Sequence, residues 1–279
     1  MTEPIVEVHD LAFTYPSGAR ALDGIDLAIM PGERLAIIGQ NGSGKSTLVR
    51  HFVGLLRASS GEVRVGGRPV GRRHVAELAR AVAIAFQNPD RQIFAARVRD
   101  EVAFGPRNLG LRGAALDERV ATALAAVGLE GHSGANPYDL GYSQRKLLAL
   151  ASVLAMRSPM VVLDEPTTGQ DARGVRRVEG IVADLTGAGT TVVVISHDMR
   201  FVAESAARVV VMRAGRIVDD GAPEAVFSEP RWPVLASTYL EPPLAARIGA
   251  RLGFGPTPTD GALVARALVA AERGISGRR

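Results

Sequence analysis

Residues 39–47 read GQNGSGKST and fit the phosphate-binding pattern GxxxxGK[ST]. They follow an apolar run from Leu35 to Ile38, and a helical pattern extends from Gly44 to about Leu56. Glycines let backbone N–H groups converge on phosphate oxygens, and the N-terminus of the helix adds the positive end of its dipole. An ordinary glycine-rich turn is the alternative interpretation, but it does not explain the strand, the helix and the fixed positions together. The stretch therefore predicts a nucleotide-binding loop.

Each polar side chain of this loop has an expected role. Lys45 is expected to reach the β and γ phosphates, and the Ser46 hydroxyl is expected to bind Mg²⁺. Only two of the 33 basic residues are lysines, Lys45 and Lys146, so a compact ammonium at Lys45 indicates that a planar guanidinium does not fit. Lys146 is interpreted as a solvated helix residue. The predicted nucleotide-binding residues of the loop are Gly39, Asn41, Gly42, Ser43, Gly44, Lys45, Ser46 and Thr47.

Length and composition narrow the class of protein. The chain has 279 residues, about two domains' worth, and its 47% hydrophobic content excludes disorder as the dominant state. The absence of cysteine excludes a disulfide framework, thiol catalysis and cysteine-ligated zinc. A net charge of +4 is too small to indicate a nucleic-acid binder. Without a signal-peptide pattern or an apolar run of about 18 residues, we expect a soluble, cytoplasmic chain that serves a membrane only by docking on a separate protein.

Apolar runs that alternate with helical patterns predict an α/β fold with a largely parallel core sheet. Strands are predicted at 5–8, 25–29, 35–38, near 63, and at 82–86, 160–163, 190–195 and 208–212. Helical character from about 88 to 158 predicts an inserted helical subdomain with helices at 114–127 and 143–156, and a further helix is predicted at 171–185. Seven of the 16 prolines follow Gly221, which predicts a separate, irregular tail with two short helices, at 243–252 and 261–272.

Two acids and a histidine follow predicted strands. The strand at 160–163 ends in Asp164 and Glu165. A carboxylate at the carboxyl end of a parallel strand beside a phosphate loop binds Mg²⁺, so Asp164 is the predicted metal ligand and Glu165 the residue that orients or deprotonates the attacking water. His197 follows the apolar run from Thr190 to Ser196, and at this strand end it can donate a hydrogen bond to a γ-phosphate. The four other histidines are interpreted as surface or satisfied core residues.

With these motifs in this order, the chain resembles the nucleotide-binding subunit of ATP-binding cassette (ABC) transporters over residues 3 to about 220. The order is the phosphate loop, Gln87 after a strand, the segment 140–144, Asp164 with Glu165, the loop 168–171 and His197. The resemblance implies ATP and Mg²⁺ as cofactors, with Mg²⁺ held by Ser46, Gln87 and Asp164. It also implies catalytic roles for Glu165, His197 and Gln87, and contact of Asp171 with nucleotide. Tyr15 matches the aromatic residue that stacks on adenine, although it could instead only pack a turn.

The resemblance further implies a P-loop NTPase fold of the ABC ATPase type, with an N-terminal antiparallel β part beside the parallel sheet. Residues 1–220 would form the nucleotide-binding domain, including the helical subdomain at about 88–158. Residues 221–279 would form a C-terminal extension. Its stretch from Glu241 to Leu244, which reads EPPL, and the arginine-rich helix after it are similar to the extension of energy-coupling factor ATPases, which helps to hold two ATPase subunits together.

The segment 140–144 departs from the family signature LSGGQ. It reads LGYSQ, from Leu140, Gly141, Tyr142, Ser143 and Gln144. In the family this segment closes on ATP bound to the phosphate loop of another subunit, and its serine contacts the γ-phosphate. Gly141 lacks that hydroxyl, whereas Ser143 and the following helix N-terminus can still present hydrogen-bond donors. We therefore expect a working composite site whose closure is weak or asymmetric.

Within the family, the sequences at 86–95 and 100–105 resemble the energy-coupling factor (ECF) type, which drives uptake of vitamins or of cobalt or nickel. This resemblance implies an ATPase that powers a membrane transporter, peripheral on the cytoplasmic face of the membrane. Its partners would be a second ATPase subunit, a transmembrane coupling subunit docked through about 88–104, and, indirectly, a substrate-binding membrane subunit. Asp90, Asp100 and Glu101 would form an acidic docking cluster or only a solvated face.

Several alternatives stay open. The second ATPase subunit can be an identical or a related chain, and the cargo can be a vitamin or a metal ion. An ABC ATPase of another transporter class also fits the motifs. A DNA-repair or translation ABC ATPase fits less well, because residues 88–158 are too short for a long coiled coil and the chain has one phosphate loop. A small-molecule kinase does not explain Gln87, His197 and the segment 140–144 together.

Overall fold

The computed structural model describes residues 3–276. Residues 1–2 and 277–279, at the outer ends of the two predicted domains, lie outside the described residues. The strands are β1 (Val6–Thr14), β2 (Arg20–Ile29), β3 (Arg34–Ile38), β4 (Ser60–Val65), β5 (Arg68–Pro69), β6 (Val82–Ala85), β7 (Met160–Asp164), β8 (Thr191–Ile195), β9 (Arg208–Arg213) and β10 (Arg216–Gly221). The helices are α1 (Lys45–Phe52), α2 (Val75–Leu78), α3 (Val98–Asn108), α4 (Gly113–Val127), α5 (Tyr142–Met156), α6 (Ala172–Gly187), α7 (Met199–Ser205), α8 (Pro223–Val226), α9 (Trp232–Ala236), α10 (Leu244–Arg251) and α11 (Asp260–Ser276).

The strands form two sheets, as the predicted α/β fold requires. An antiparallel sheet has the order β2-β1-β4-β5, and a six-stranded sheet has the order β10-β9-β3-β8-β7-β6. All neighbours in the second sheet are parallel except the pair β9 and β10. The predicted antiparallel part and parallel core are therefore both confirmed.

The core strands are apolar throughout because both faces of the parallel sheet are covered. On β7, Met160 and Val162 pack with the antiparallel sheet and α1, whereas Val161 and Leu163 pack against the helices α3 to α5. Successive side chains of a strand point to opposite faces, so a strand buried on both sides needs a continuous apolar run. This requirement explains why the sequence identified these strands well.

The tail is less separate and more helical than the sequence suggested. Val226, Phe227, Leu235 and Ala246 share one apolar cluster with side chains of β3, β9 and α7. Three of the prolines lie in the first turn of α8, of α9 and of the short 3₁₀ helix at Glu229–Arg231. Proline suits this place because its fixed φ favours the helix and its missing N–H would have no intrahelical partner. These three prolines therefore mark helix starts. The two helices predicted in the tail correspond to α10 and α11, but the expectation that the tail is separate and otherwise irregular is wrong.

Candidate functional site

The candidate site lies at the carboxyl edge of the parallel sheet. The strands β3, β6, β7 and β8 run parallel and end at this edge. The residues that follow them include the phosphate loop, Gln87, Glu165 and His197. Ligands of open α/β sheets bind outside the carboxyl ends of the strands, so the topology brings together motifs that are up to 158 residues apart in sequence.

The phosphate loop requires glycine at two positions, 39 and 44. Gly39 has φ of 148°, and a Cβ atom there would lie 2.2 Å from the carbonyl oxygen of Met212. Gly44, with φ of 105°, caps α1, and a Cβ atom there would lie 2.6 Å from the Ala21 oxygen. No side chain can take these positions without moving the backbone. The glycines thus fix the path of the loop, while Asn41 and Gly42 lie exposed at its turn.

Lys45 folds back over the loop. Its Nζ donates to the carbonyl oxygens of Gly39 at 2.6 Å and Gln40 at 2.9 Å, and lies 3.5 Å from the Ser43 hydroxyl. Burial lowers the pKa of Lys45, although the carboxylates of Glu165 and Asp164 oppose the effect. The ammonium is therefore held inside the loop, where the sequence predicted a phosphate-binding cation.

Asp164 is a buried carboxylate with a free oxygen. The residue is 4% exposed, and its Oδ1 atom has no hydrogen-bond partner. Burial raises the pKa of Asp164, while the neighbouring Ser46 side chain counteracts this rise. An unpartnered buried carboxylate oxygen is costly unless a cation compensates it. The oxygen donors of Ser46, Gln87 and Asp164 match the preference of Mg²⁺, so the residues present fit this ion.

Gln87 lies across a cavity from this carboxylate. The cavity has a volume of about 470 Å³, and Asp164, Gln87, Arg50 and Arg91 are among the residues that line it. The two arginines were not predicted, because nothing in the local pattern separates them from the many other arginines of the chain. Gln87 itself is exposed and follows β6 at the start of the helical region.

Glu165 and His197 form a pair. His197 Nδ1 lies 2.8 Å from Glu165 Oε2, and the Thr168 hydroxyl lies 3.3 Å from the same oxygen. The Glu165 side chain is 8% exposed and that of His197 63%, so the buried carboxylate is capped by an imidazole open to solvent. A buried acid that faces the cleft through a polar partner can take or orient a proton of a bound water.

Tyr15 contacts the end of the phosphate loop. Its hydroxyl lies 3.0 Å from the Thr47 Oγ1 atom, and its ring packs edge-to-face on Phe13 with centroids 4.8 Å apart. His51 also contacts Phe13 and forms a 2.8 Å hydrogen bond with the Thr47 carbonyl. Tyr15 is half-buried. It therefore packs beside the end of the loop.

The segment 140–144 begins helix α5. Leu140 is buried in the core, Gly141 caps the helix, and Gln144 Oε1 accepts the Gly141 N–H at 3.2 Å. The Ser143 hydroxyl donates to Gln170 at 2.7 Å, while the Gln170 amide donates to the Ser143 carbonyl at 3.1 Å. Ser143 is thus engaged within its own chain, and the donors left at this end are those of the helix N-terminus.

The loop 165–171 joins this segment to the site. Gly169 lies against the Tyr142 ring, because a Cβ atom there would be 2.8 Å from the ring. Asp171 caps α6 by accepting the Gly174 N–H at 2.7 Å. The geometry gives Asp171 a structural role in its own chain, as the N-cap of α6.

Lys146 contradicts the sequence interpretation. It was expected to be a solvated helix residue, but it is 7% exposed and its Nζ donates to the carbonyl oxygens of Glu165 and Thr168. The physical reason is the phase of helix α5, which turns this position toward the loop after β7. The scarcity of lysine that singled out Lys45 applied equally to Lys146 and could have identified it.

One member of the acidic group predicted in the helical region, Glu101, is buried and not exposed as expected. Glu101 is 3% exposed, and its carboxylate accepts the N–H groups of Phe94 and Ala95. Asp90 lies 3.0 Å from Arg145, and Asp100 lies 3.3 Å from Arg107. Glu101 therefore stabilises the loop before α3, whereas Asp90 and Asp100 form ion pairs on a solvated face. The prominent feature of the surface is the exposed pair Phe94 and Phe104, whose ring centroids are 4.7 Å apart.

Within residues 3–276, no helix has the length and apolar character needed to cross a membrane. The same part of the chain contains no cluster of three or more histidine, aspartate or glutamate side chains arranged to hold a metal ion. The fit to Mg²⁺ therefore depends on Asp164 with the neutral oxygens of Ser46 and Gln87.

Comparison with known proteins agrees with this geometry. The sequence model described as ABC transporter matches residues 22–168. The energy-coupling factor transporter ATP-binding protein EcfA of Methanocaldococcus jannaschii is 43% identical over 227 residues, which cover 81% of each chain. The solved structure of CbiO1 from Clostridium perfringens, part of the ABC transporter complex CbiONQ, is similar with a TM-score of 0.74 and 33% identity, over 90% of this chain and 96% of that one.

A dimeric ATP-binding cassette in a post-hydrolysis state, bound to ADP and Pi, is also similar, with a TM-score of 0.72 and 25% identity, over 78% of this chain and 98% of that one. The motifs, the sheet order and these likenesses agree over most of the chain. The chain therefore belongs to the ABC transporter family, among the ATP-binding subunits of energy-coupling factor type.

Proposed function

We propose that two ATPase subunits, identical or related, enclose ATP between the loop 39–47 of one subunit and the segment 140–144 of the other. As a member of its family, the chain hydrolyses ATP to power transport across a membrane. The observation that carries the proposal is the convergence of the phosphate loop, the buried carboxylates and His197 at one sheet edge. The dimeric cassette that this chain resembles supports two-subunit enclosure.

The residues of the loop bind and orient the nucleotide. Backbone N–H groups from Gly42 to Thr47 would surround the phosphates, and Lys45 would exchange its carbonyl contacts for phosphate oxygens. Tyr15 would offer its aromatic face to adenine. Ser46, Gln87 and Asp164 would hold Mg²⁺, which when bound would neutralise charge that develops on the transferred phosphoryl group.

Glu165 would orient the attacking water and accept its proton. His197 would donate to the γ-phosphate through Nε2 while Nδ1 stays with Glu165. A neutral imidazole has only one N–H group, so both bonds at once require the doubly protonated ring. Hydrolysis on this arrangement depends on positioning and charge stabilisation rather than on a covalent intermediate.

The membrane partner would dock on the helical region near 88–104. Phe94 is 60% and Phe104 48% exposed, and the edge-to-face pair forms an apolar surface. Tyr138 is also exposed, and its hydroxyl donates to the carbonyl oxygen of Ile93, the residue before Phe94. Paired aromatic side chains are typical anchors of protein interfaces. The protein would then be peripheral on the cytoplasmic face of the membrane, and the membrane subunits would select the cargo, a vitamin or a metal ion.

We also propose that residues 1–220 act as the nucleotide-binding domain and that the extension at 221–279 helps to join the two ATPase subunits. Its described part exposes large apolar side chains on α10 and α11 and just beyond α10. These are Leu244, Ile248, Leu252, Val264, Leu268 and Val269. Apolar side chains repeated along exposed helices fit a partner surface better than solvent.

The proposal is tested on the purified chain and on its Glu165→Gln variant. Both should bind ATP with similar affinity in the presence of Mg²⁺, because the variant keeps every proposed phosphate contact. The wild type should hydrolyse ATP, whereas the variant should turn over at least about 100-fold more slowly and should accumulate as an ATP-bound dimer on gel filtration. Full turnover by the variant would remove Glu165 from the reaction, and failure of both proteins to bind adenine nucleotides would contradict the proposed function.

A further inference from the structure

Lys146 has no part in the roles proposed above, yet its ammonium contacts the backbone of the proposed water-orienting residue. Nζ donates to the Glu165 carbonyl and, at 3.0 Å, to the Thr168 carbonyl. The residue is 7% exposed. A buried ammonium needs several hydrogen bonds to offset its lost hydration, and these two carbonyls provide them.

The Glu165 backbone has an unusual conformation at this point. Its φ is 54°, in the left-handed region that residues other than glycine seldom adopt. Its N–H donates to the Ile195 carbonyl at 2.8 Å and so continues the ladder between β7 and β8. The following Pro166 disfavours the right-handed helical region for Glu165. The chain therefore turns away from the sheet immediately after the ladder, and the Glu165 carbonyl bonds to Lys146 instead.

This turn sets the direction of the Glu165 side chain. The carboxylate lies 2.8 Å from His197 Nδ1 and 3.3 Å from the Thr168 hydroxyl. Lys146 bonds to the carbonyls of both Glu165 and Thr168. One ammonium thus holds the backbone of Glu165, which carries the carboxylate, and the backbone of Thr168, whose hydroxyl contacts that carboxylate.

The choice of lysine is itself informative. The chain has two lysines among its 33 basic residues, and both are buried with Nζ on backbone carbonyls beside the same pair of carboxylates. Burial lowers the pKa of Lys146 to about 8, while the charges of Glu165 and Asp164 act in the opposite direction. A compact ammonium can bond to two carbonyls from one point, whereas a planar guanidinium needs a wider space.

We propose that Lys146 is a positioning residue for hydrolysis, which holds the Glu165 and Thr168 carbonyls so that the Glu165 carboxylate faces the attacking water. The inference rests on the proposed role of Glu165. Lys146 is also one helical turn beyond Tyr142, so helix α5 carries both this contact and the segment that would meet the nucleotide of the other subunit. A movement of α5 on closure over that nucleotide would then change the position of Glu165 through the Lys146 hydrogen bond.

The test compares Lys146→Met with the wild-type full chain in a steady-state ATPase assay. Methionine keeps most of the side-chain length but removes all three donors. We expect kcat to fall about 10- to 100-fold, as for loss of a residue that orients an active-site group, with KM for ATP within about twofold. Lys146→Gln retains an amide donor and should lose less. In the Glu165→Gln background, Lys146→Met should leave the affinity for ATP unchanged.

Leu150→Ala is the matched control for helix packing. Leu150 lies one turn further along α5 and is 4% exposed, so its truncation should lower the melting temperature without changing kcat well below that temperature. Equal loss of kcat in this control would overturn the positioning role. So would a wild-type kcat in Lys146→Met while Glu165→Gln is inactive, an outcome that leaves the proposed function intact. If Lys146→Met does not fold, a folded Lys146→Gln with wild-type kcat overturns it equally.

Discussion

Nδ1 of His197 lies 2.8 Å from Oε2 of Glu165, although the two residues follow different strands of the parallel sheet. The pairing of Asp164 with Ile195 brings them together, because each residue follows closely after this last pair of β7 and β8. The contact between the Glu165 carboxylate and the His197 imidazole thus results from the register between β7 and β8.

The first prediction concerns this pair. We expect His197→Ala and Glu165→Gln each to lower kcat by about 10²- to 10⁴-fold, since each removes a group that handles a proton or its charge. The kcat of the double variant should be within about threefold of the kcat of the less active single variant, because the two side chains act together. Steady-state ATPase assays measure all three. His9→Ala is the control, since the His9 side chain has almost the same exposure, 62%; strictly additive losses would contradict the coupling.

The second prediction concerns the glycines of the phosphate loop. Gly39→Ala should lower the free energy of unfolding by more than about 3 kcal/mol, because the new Cβ would meet a backbone oxygen at 2.2 Å. Gly42→Ala should cost only about 1 kcal/mol, since its φ of 79° is unfavourable but no atom lies within 4 Å. Denaturant melts of the two variants test this difference, and equal stabilities would disprove the argument from close approach.

The third prediction concerns the altered signature segment. Gly141→Ser places a hydroxyl where the family has one, and we expect it to tighten ATP-driven dimerisation of the Glu165→Gln variant. The Gly141 backbone has φ of −61°, and a Cβ atom there would have its nearest contact, Gln144 Oε1, at 3.8 Å, so the residue fits. Gly141→Ala is the matched control without the hydroxyl. Analytical ultracentrifugation that finds the same dimer affinity in both would mean that the missing hydroxyl is compensated locally.

The fourth prediction concerns docking. Replacing Phe94 and Phe104 with alanine should release the membrane partner from a co-purified complex while soluble ATPase activity stays within about twofold, because both rings are largely exposed. Leu55→Ala removes a side chain of similar exposure, 46%, and is expected to leave the complex intact. If the double variant co-purifies as well as the control does, docking takes place elsewhere. Charge reversal at Glu101 is unsuitable, because that carboxylate binds two backbone N–H groups.

The fifth prediction concerns pH. Lys146 has a pKa of about 8 in the folded chain and near the ordinary value of 10.5 when unfolded. The unfolded chain therefore binds more protons between pH 8 and 10.5, and this residue makes stability rise with pH across that window. Below pH 8 the residue is protonated in both states and contributes no slope. Raising the pH from 8 to 10 should therefore raise the melting temperature of the wild type relative to that of Lys146→Met. A constant difference would contradict the lowered pKa of Lys146.

The sequence predicted the strands of the parallel sheet closely, because strands covered on both faces must be apolar without interruption. It missed β10, whose sequence RIVDDG is half polar because it lies at the edge of the sheet. It also missed α7, which has only seven residues. Short elements give too few positions for a period to appear.

The position of a site residue could be predicted where the local sequence pattern assigns one role to its residue type, as for the lysine in a glycine-rich phosphate loop, Lys45. It was misjudged where the role depends on which way a helix faces. Lys146 and Glu101 both looked like surface charges, and both are buried against backbone groups of a loop that comes from elsewhere in the chain. The engagement of Ser143 with Gln170 was equally invisible, since it depends on the approach of two segments 27 residues apart.

The last hydrogen bond between the ends of β7 and β8, from the Glu165 N–H to the Ile195 carbonyl oxygen, makes the position of the site depend on the number of residues in each strand. Because side chains alternate along a strand, inserting a single residue into either strand would disrupt the pairing of Asp164 with Ile195 and so displace Glu165 or His197, which follow that pair. Insertions and deletions should therefore be confined to the connections at the opposite, amino-terminal ends of these strands. The length of five residues in each strand is then as important for the site as the identity of Glu165.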